Sequence, residues 1–231
     1  MSDNKVLLIT GGSTGIGAAT ARAAVARGYS VALAARTESK LTALVDELGG
    51  ADTALPVACD VTDKASQQAM VDTVIEHFGR IDAVFANAGI GGKPGGFTGA
   101  DTDVWKNMIL TNVYGVGLTI QCTAEAIKAS RGHLLITGSA AGRATIPGSM
   151  YSATKWAVSA IGYGVREELR GTGIRTTLIE PGMVDTPFFD ETPEHALTDK
   201  DVANAALYAL EQPASVDVNE ILVRPTPAIE D

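Results

Sequence analysis

Tyr151 and Lys155 lie four residues apart in Met150-Tyr151-Ser152-Ala153-Thr154-Lys155, with Ser139 twelve residues upstream. In a helix of about 3.6 residues per turn the two side chains share a face. A free tyrosine ionises near pH ~10, and a neighbouring ammonium favours the phenolate and lowers that value. The pair therefore predicts acid–base chemistry near neutral pH, with a serine hydroxyl to hold a substrate oxygen. A bare Y-x-x-x-K also arises by chance, so the rest of the chain decides its meaning.

The elements that must position these residues alternate regularly. Short, near-continuously apolar runs read as strands at Val6–Thr10, Ser30–Ala35, Ala54–Ala58, Ile81–Ala86, His133–Thr137, Arg175–Ile179 and Glu220–Val223. Between them lie helical patterns at Ile16–Arg27, Ser39–Leu48, Lys64–Phe78, Val104–Ala129, Ala153–Arg170 and Asp199–Glu211, with Thr62 and Thr198 as N-caps and Gly28, Gly49 and Gly79 as stops. Continuous apolar strands mark a sheet buried on both faces. The expected fold is α/β: a single Rossmann-type doubly wound parallel sheet of about seven strands, flanked by helices on both faces, over one domain spanning 1–231. Two loops follow strands on the ligand-binding side of such a sheet, Gly91–Gly96 and Pro181–Pro193.

Composition narrows the function classes. The chain has 231 residues and a formal charge of −9, with 45% hydrophobic and 19% charged residues. An acidic chain without basic clusters is a poor partner for nucleic acid or anionic membranes. The apolar stretch Met108–Ile127 is broken by Thr111, Asn112, Thr119, Gln121 and Glu125 and reads as a buried helix, not a membrane span. The N-terminus shows no signal-peptide pattern, and Cys59 and Cys122 read as free thiols, so the expected location is cytoplasmic. No His/Cys/Asp cluster suggests a metal. His77, His133 and His195 read as surface or capping residues, and Trp105 and Trp156 as packing residues.

Thr10-Gly11-Gly12-Ser13-Thr14-Gly15-Ile16-Gly17 joins the first strand to the first helix. Glycines there let backbone approach a pyrophosphate, and the helix N-terminus offers unpaired N–H groups. The second strand ends Ala34-Ala35-Arg36, with no carboxylate to repel a 2′-phosphate and a guanidinium to grip one, which predicts NADP(H) over NAD(H). Asp60 after the third strand either accepts from an adenine amino group or starts the next helix. Asn87-Ala88-Gly89 after the fourth places backbone against the cofactor.

In this order and spacing, Thr10-Gly11…Gly15-Ile16-Gly17, Asp60-Val61, Asn87-Ala88-Gly89, Asn112, Ser139, Tyr151…Lys155 and Pro181-Gly182 resemble the short-chain dehydrogenase/reductase family over nearly the whole chain. Two departures are Ala86, where many members have a second asparagine, and the absence of a basic residue at Ser13–Thr14, common among NADPH users. The stretch Val216–Thr226 is similar to the branch of serine/3-hydroxy acid dehydrogenases and broad carbonyl reductases. The resemblance implies that Tyr151 is the acid in ketone reduction and the base in alcohol oxidation. It implies that Ser139 stabilises the alkoxide, and that Lys155 lowers the tyrosine pKa and holds the nicotinamide ribose. Asn112 would anchor a water linking Lys155 to solvent. Pro181-Gly182, Val184 and Thr186 would lie along the nicotinamide, with Thr186 reaching its carboxamide.

The loop of about 182–198 is expected to cover the substrate. Met183, Phe188 and Phe189 give it an apolar face, with Ala140, Ile146 and Met150 opposite. This favours hydrophobic or aromatic ketones or aldehydes. A 3-hydroxy acid dehydrogenase is the alternative, for which Arg143 and Lys93 are the available cations. A non-catalytic NADP(H)-binding regulator is a further alternative, although such a sensor has no need of the proton donor. The resemblance also implies a homotetramer, or a homodimer, paired through Val104–Ala129 and Ala153–Arg170.

Overall fold

The computed structural model describes residues 4–93 and 95–227. Pro94 of the glycine-rich loop lies outside the described residues. In chain order the elements are β1 (Val6–Thr10), α1 (Gly15–Val25), β2 (Ser30–Ala35), α2 (Glu38–Glu47), β3 (Ala54–Ala58), α3 (Lys64–Phe78), β4 (Ala83–Ala86), α4 (Gly96–Gly99), α5 (Thr102–Ile109), a π-helical turn (Leu110–Tyr114), α6 (Gly115–Ser130), β5 (His133–Thr137), a 3₁₀ turn (Ala140–Gly142), α7 (Met150–Glu168), β6 (Arg175–Pro181), β7 (Val184–Asp185), β8 (Leu197–Thr198), α8 (Asp199–Glu211) and β9 (Glu220–Val223).

Seven strands form one sheet in the order β3-β2-β1-β4-β5-β6-β9, and every pairing is parallel. Successive side chains on a strand point to opposite faces, and here both faces are apolar. Leu7, Ile9 and Leu33 pack against α1, α2 and α8. Val6, Leu8 and Ile136 pack against α3, α6 and α7. From β1 the chain winds outward through β2 and β3, then returns to β4 and winds the other way. The switch point between β1 and β4 opens a crevice at the carboxyl ends of the strands, where ligands bind in such sheets.

Five of the seven expected strands have the expected limits. β4 starts at Ala83 rather than Ile81; at Asp82 the backbone still bonds Val6 and His133, while the Asp82 carboxylate accepts from the Val6 amide at 2.8 Å. β6 runs on to Pro181 because β9 continues its pairing through Pro181↔Val223. The N-cap of α3 is Asp63, not Thr62. The Asp63 carboxylate accepts from Ala65 and Ser66 amides, while Thr62 donates to Asp60. Thr198 caps α8 with a full capping box. The expected helix Val104–Ala129 is divided by the π turn, which carries Asn112 inward to full burial. The substrate-side loop is pinned at its base by the two-residue ladder of β7 on β8.

Candidate active site

Local capping sets the central pair. The Ser149 hydroxyl accepts from the Ser152 amide at 3.0 Å and starts α7 at Met150, three residues before the expected Ala153. Tyr151 and Lys155 therefore stand on one face of one regular helix. The Lys155 ammonium lies 5.7 Å from the Tyr151 ring centroid and donates to the Thr137 carbonyl, at the end of β5, at 2.8 Å. Ser139 caps the 3₁₀ turn, accepting from the Ala141 amide at 3.1 Å.

Burial governs the ionisation of both groups. It pushes the Tyr151 phenol up to about 12, opposed by hydrogen bonding with Ser139. It pushes the Lys155 amine down to about 8. The expectation of a phenol acidified by its cation is corrected accordingly. Desolvation disfavours the phenolate, and the Ser139 hydrogen bond opposes it only in part. At neutral pH the site holds a protonated phenol and a protonated amine, the state a proton donor to a carbonyl oxygen requires.

These groups line a cavity of about 1120 Å³ that runs along the carboxyl ends of the strands. At one end are Gly11, Ser13, Thr14, Gly15 and Ile16 of the β1–α1 turn, then Arg36 after β2, Asp60 and Val61 after β3, and Asn87, Ala88 and Gly89 after β4. At the other are Ser139, Tyr151 and Lys155, with Pro181, Gly182, Val184 and Thr186. Gly17 and Asn112 stand behind this wall. The Asn112 amide holds the backbone of Ile90 in both directions, accepting at 2.8 Å and donating at 2.9 Å. Thr10, Asn87 and Thr137 stitch the ends of β1, β4 and β5 together: Asn87 donates to the Thr10 carbonyl and accepts from Thr137 at 3.0 Å.

The β1–α1 turn fits a diphosphate. Gly11 has φ +66° and is so close to β4 that a Cβ would sit 2.9 Å from Ala88 Cα. A Cβ on Gly17 would collide with the Gly11 carbonyl. Thr14 makes no side-chain capping bond and the first turn of α1 holds no acid, so its N–H groups remain available to an anion. The charge of the cavity wall agrees. Arg36, Lys93, Lys155 and Arg224 line it against Asp60 alone, in a chain of net charge −9. Asp60 Oδ1 accepts from the Thr62 amide at 2.9 Å and hydroxyl at 2.8 Å, so it organises the turn into α3. Those hydrogen bonds hold its pKa below the usual carboxylate value.

Ala140, Ile146, Met150, Met183, Phe188 and Phe189 all line the Tyr151 end. Phe188 packs edge-on to Tyr151, with ring centroids 5.6 Å apart, and to Phe189 at 5.1 Å. Trp105 and Met108 also line this end, and Trp105 packs on Phe97. Sequence reasoning assigned Trp105 to packing and passed over Met108, because only the fold brings α5 to the cavity. Trp156, half exposed, lies elsewhere and donates to the Ala144 carbonyl. Arg143 is not a free cation for an acid substrate: it is engaged by Glu180 and Glu220. Arg224, overlooked as a cation in the sequence, lies beside Gly182 instead. His133 is buried, neutral and paired with Thr177. His77 pairs with the Ala51 carbonyl, and His195 is exposed. Among the described residues no group of three or more His, Cys, Asp or Glu is placed to hold a metal, and no helix is long and apolar enough to cross a membrane.

A family model described as short chain dehydrogenase matches residues 5–197. An uncharacterized oxidoreductase of Staphylococcus saprophyticus is 38% identical over 229 residues, covering 96% of this chain and 97% of its own. Among solved structures, an alcohol dehydrogenase from the archaeon Thermococcus sibiricus complexed with 5-hydroxy-NADP superposes with a TM-score of 0.88 at 30% identity, over 99% of this chain and 100% of that one. Serine dehydrogenase from Escherichia coli superposes with a TM-score of 0.86 at 30% identity, over 94% and 96% of the two chains. The chain is an oxidoreductase of the short chain dehydrogenase family.

Proposed function

We propose that this protein is an NADPH-dependent reductase of ketones or aldehydes, acting reversibly on hydrophobic or aromatic substrates. The observation that carries the reading is the protonated Tyr151 phenol beside the buried Lys155 ammonium, facing Phe188 and Phe189 in a cation-lined cavity. The similarity to an alcohol dehydrogenase solved with an NADP derivative supports it.

In this reading Gly11–Gly17 and the start of α1 hold the diphosphate, and Arg36 holds a 2′-phosphate. Lys155 holds the nicotinamide ribose, with Pro181, Gly182, Val184 and Thr186 along the ring. Bound NADPH supplies the hydride. Tyr151 donates its proton to the carbonyl oxygen as that oxygen becomes an alkoxide, and the Ser139 hydroxyl donates a hydrogen bond to the same atom. Lys155 is the next proton source behind Tyr151. Asn112 fixes the Ile90 backbone beside it, and Gly89 leaves room between the two: a Cβ there would lie 3.4 Å from Asn112 Oδ1 and 3.8 Å from Lys155 Nζ. Phe188 and Phe189 exclude water and receive an apolar substituent. Pairing of copies through α6 and α7 into a homotetramer belongs to the same reading and is supported by exposed Tyr114, Trp156 and Tyr163.

A second reading, oxidation of a 3-hydroxy acid, is favoured by Arg224 beside Gly182 and by the similarity to serine dehydrogenase. A turnover panel read at the NADPH absorbance band separates the two. Aryl ketones and aldehydes are expected to be consumed at least about tenfold more efficiently than serine or 3-hydroxybutyrate is oxidised, one such factor corresponding to about 1.4 kcal/mol. Preference for the hydroxy acids would reverse the assignment.

Arg36→Ala should weaken NADPH binding by about ten- to a hundredfold and leave NADH unchanged, since a hydrogen bond to a charged group is worth about 1.5–3 kcal/mol. Fluorescence titration with both nucleotides checks this, and equal losses would remove Arg36 from the phosphate.

The Lys155 pKa also sets a stability expectation. Its fall from 10.5 to about 8 means that below pH about 8 the folded chain carries the full burial cost of the charge, roughly 3 kcal/mol at 1.36 kcal/mol per pH unit. That cost is relieved as pH rises to 10.5, where the unfolded chain also loses its proton. Lys155→Met removes the cost but also the donor to Thr137, worth about 1 kcal/mol. The variant should be about 2 kcal/mol more stable at pH 7 in urea titration, inactive, and should lose its advantage between pH 8 and 10.5. A variant destabilised at pH 7 would contradict this.

A further inference from the structure

We propose that the ion pair of Glu180 and Arg143 is a positioning strut that holds the Ser139 turn against Tyr151 and the Pro181-Gly182 wall. This rests on the carbonyl-reduction reading above for its effect on turnover, and on geometry alone for its effect on the turn. Glu180 lies on β6 immediately before Pro181 and is completely buried. A carboxylate there is strongly disfavoured without partners, and the other buried side chains of the sheet interior are mostly apolar.

Its partners come from two elements, the end of the 3₁₀ turn and α7. Arg143 Nε donates to both carboxylate oxygens at 2.9 Å, and its Nη2 lies 2.8 Å from Oε2. The Ser159 hydroxyl of α7 donates to Oε1 at 3.2 Å and to the Lys155 carbonyl at 3.2 Å. Gly138, next to Ser139, has no room for a side chain: a Cβ would lie 2.8 Å from Glu180 Cγ. On its outer side Arg143 also pairs with Glu220 of β9 and lies over the Tyr163 ring of α7. Arg143 closes the 3₁₀ turn that Ser139 opens. The turn is thus fastened at its far end to β6, β9 and α7, while its near end presents Ser139 to Tyr151.

Neither Arg143 nor Glu180 donates to a carbonyl substrate in this arrangement. Their effect passes through Ser139, whose hydroxyl must meet a developing oxyanion within a fraction of an ångström. The test compares Arg143→Met, Arg143→Lys and Glu180→Gln with the wild-type chain. The readouts are amide exchange of residues 138–143, NADPH affinity, and kcat and KM for a carbonyl substrate. Arg143→Met and Glu180→Gln should exchange about tenfold faster in 138–143. Their kcat should fall by about ten- to a hundredfold, with KM and NADPH affinity within about twofold of wild type. Arg143→Lys, which keeps the charge but loses the fork, should lie between. Glu180→Gln keeps the shape of the side chain, so the tie remains testable if Arg143→Met fails to accumulate. Wild-type exchange and kcat in these variants overturn the proposal, as does a loss explained wholly by weaker NADPH binding. The exchange readout needs no turnover. If the wild-type chain reduces no carbonyl, the reaction assignment falls, while faster exchange upholds the strut and unchanged exchange overturns it.

Discussion

Lys155 carries an ammonium into a site where only 4% of its surface remains exposed, held by one strand-end carbonyl at 2.8 Å. That burial is costly, and much of the surrounding structure serves to make it tolerable and useful. β5 must end at Thr137 for its carbonyl to face the amine. α7 must begin at the Ser149 cap for Tyr151 and Lys155 to share a face. Asn112 must turn inward through a π bulge to hold the backbone of Ile90 beside them. π bulges of this kind recur at functional sites.

The same low-dielectric setting decides the protonation states. Burial raises the phenol and lowers the amine, so the two values separate to about 12 and about 8. The lower value is the one nearer neutral pH, and it belongs to the amine. Electrostatics at larger scale point the same way: a net charge of −9 surrounds a cavity lined by four cations and one acid. An anionic ligand is therefore attracted by local charge against the field of the whole chain.

Much of this was legible in the sequence because it is local. Continuous apolar runs fixed β1, β2, β3, β5 and β9 to the residue, and the glycine turn, Arg36 and the Tyr151–Lys155 spacing all led to one cavity. The losses were tertiary. Thr111 and Asn112 interrupt the apolar stretch without a glycine or proline to end the helix, so a turn wider by one residue left no separate trace. Arg143 read as a free loop cation because its partners Glu180 and Glu220 come from distant strands. Arg224 was read only as part of the Val216–Thr226 stretch and not as a site cation, because nothing local shows that Val223 pairs with Pro181 and brings its neighbour to Gly182. The Tyr151 shift was misjudged for the same reason: a nearby cation is visible in sequence, whereas desolvation is not.

The most direct test is the titration of Lys155 itself, followed by NMR of lysine labelled with ¹⁵N at Nζ and assigned against Lys155→Met. A midpoint near pH 8, well apart from the other lysines, is the predicted result. A midpoint at the ordinary lysine value of about 10.4 would place the amine in solvent and contradict the account of a buried cation behind Tyr151.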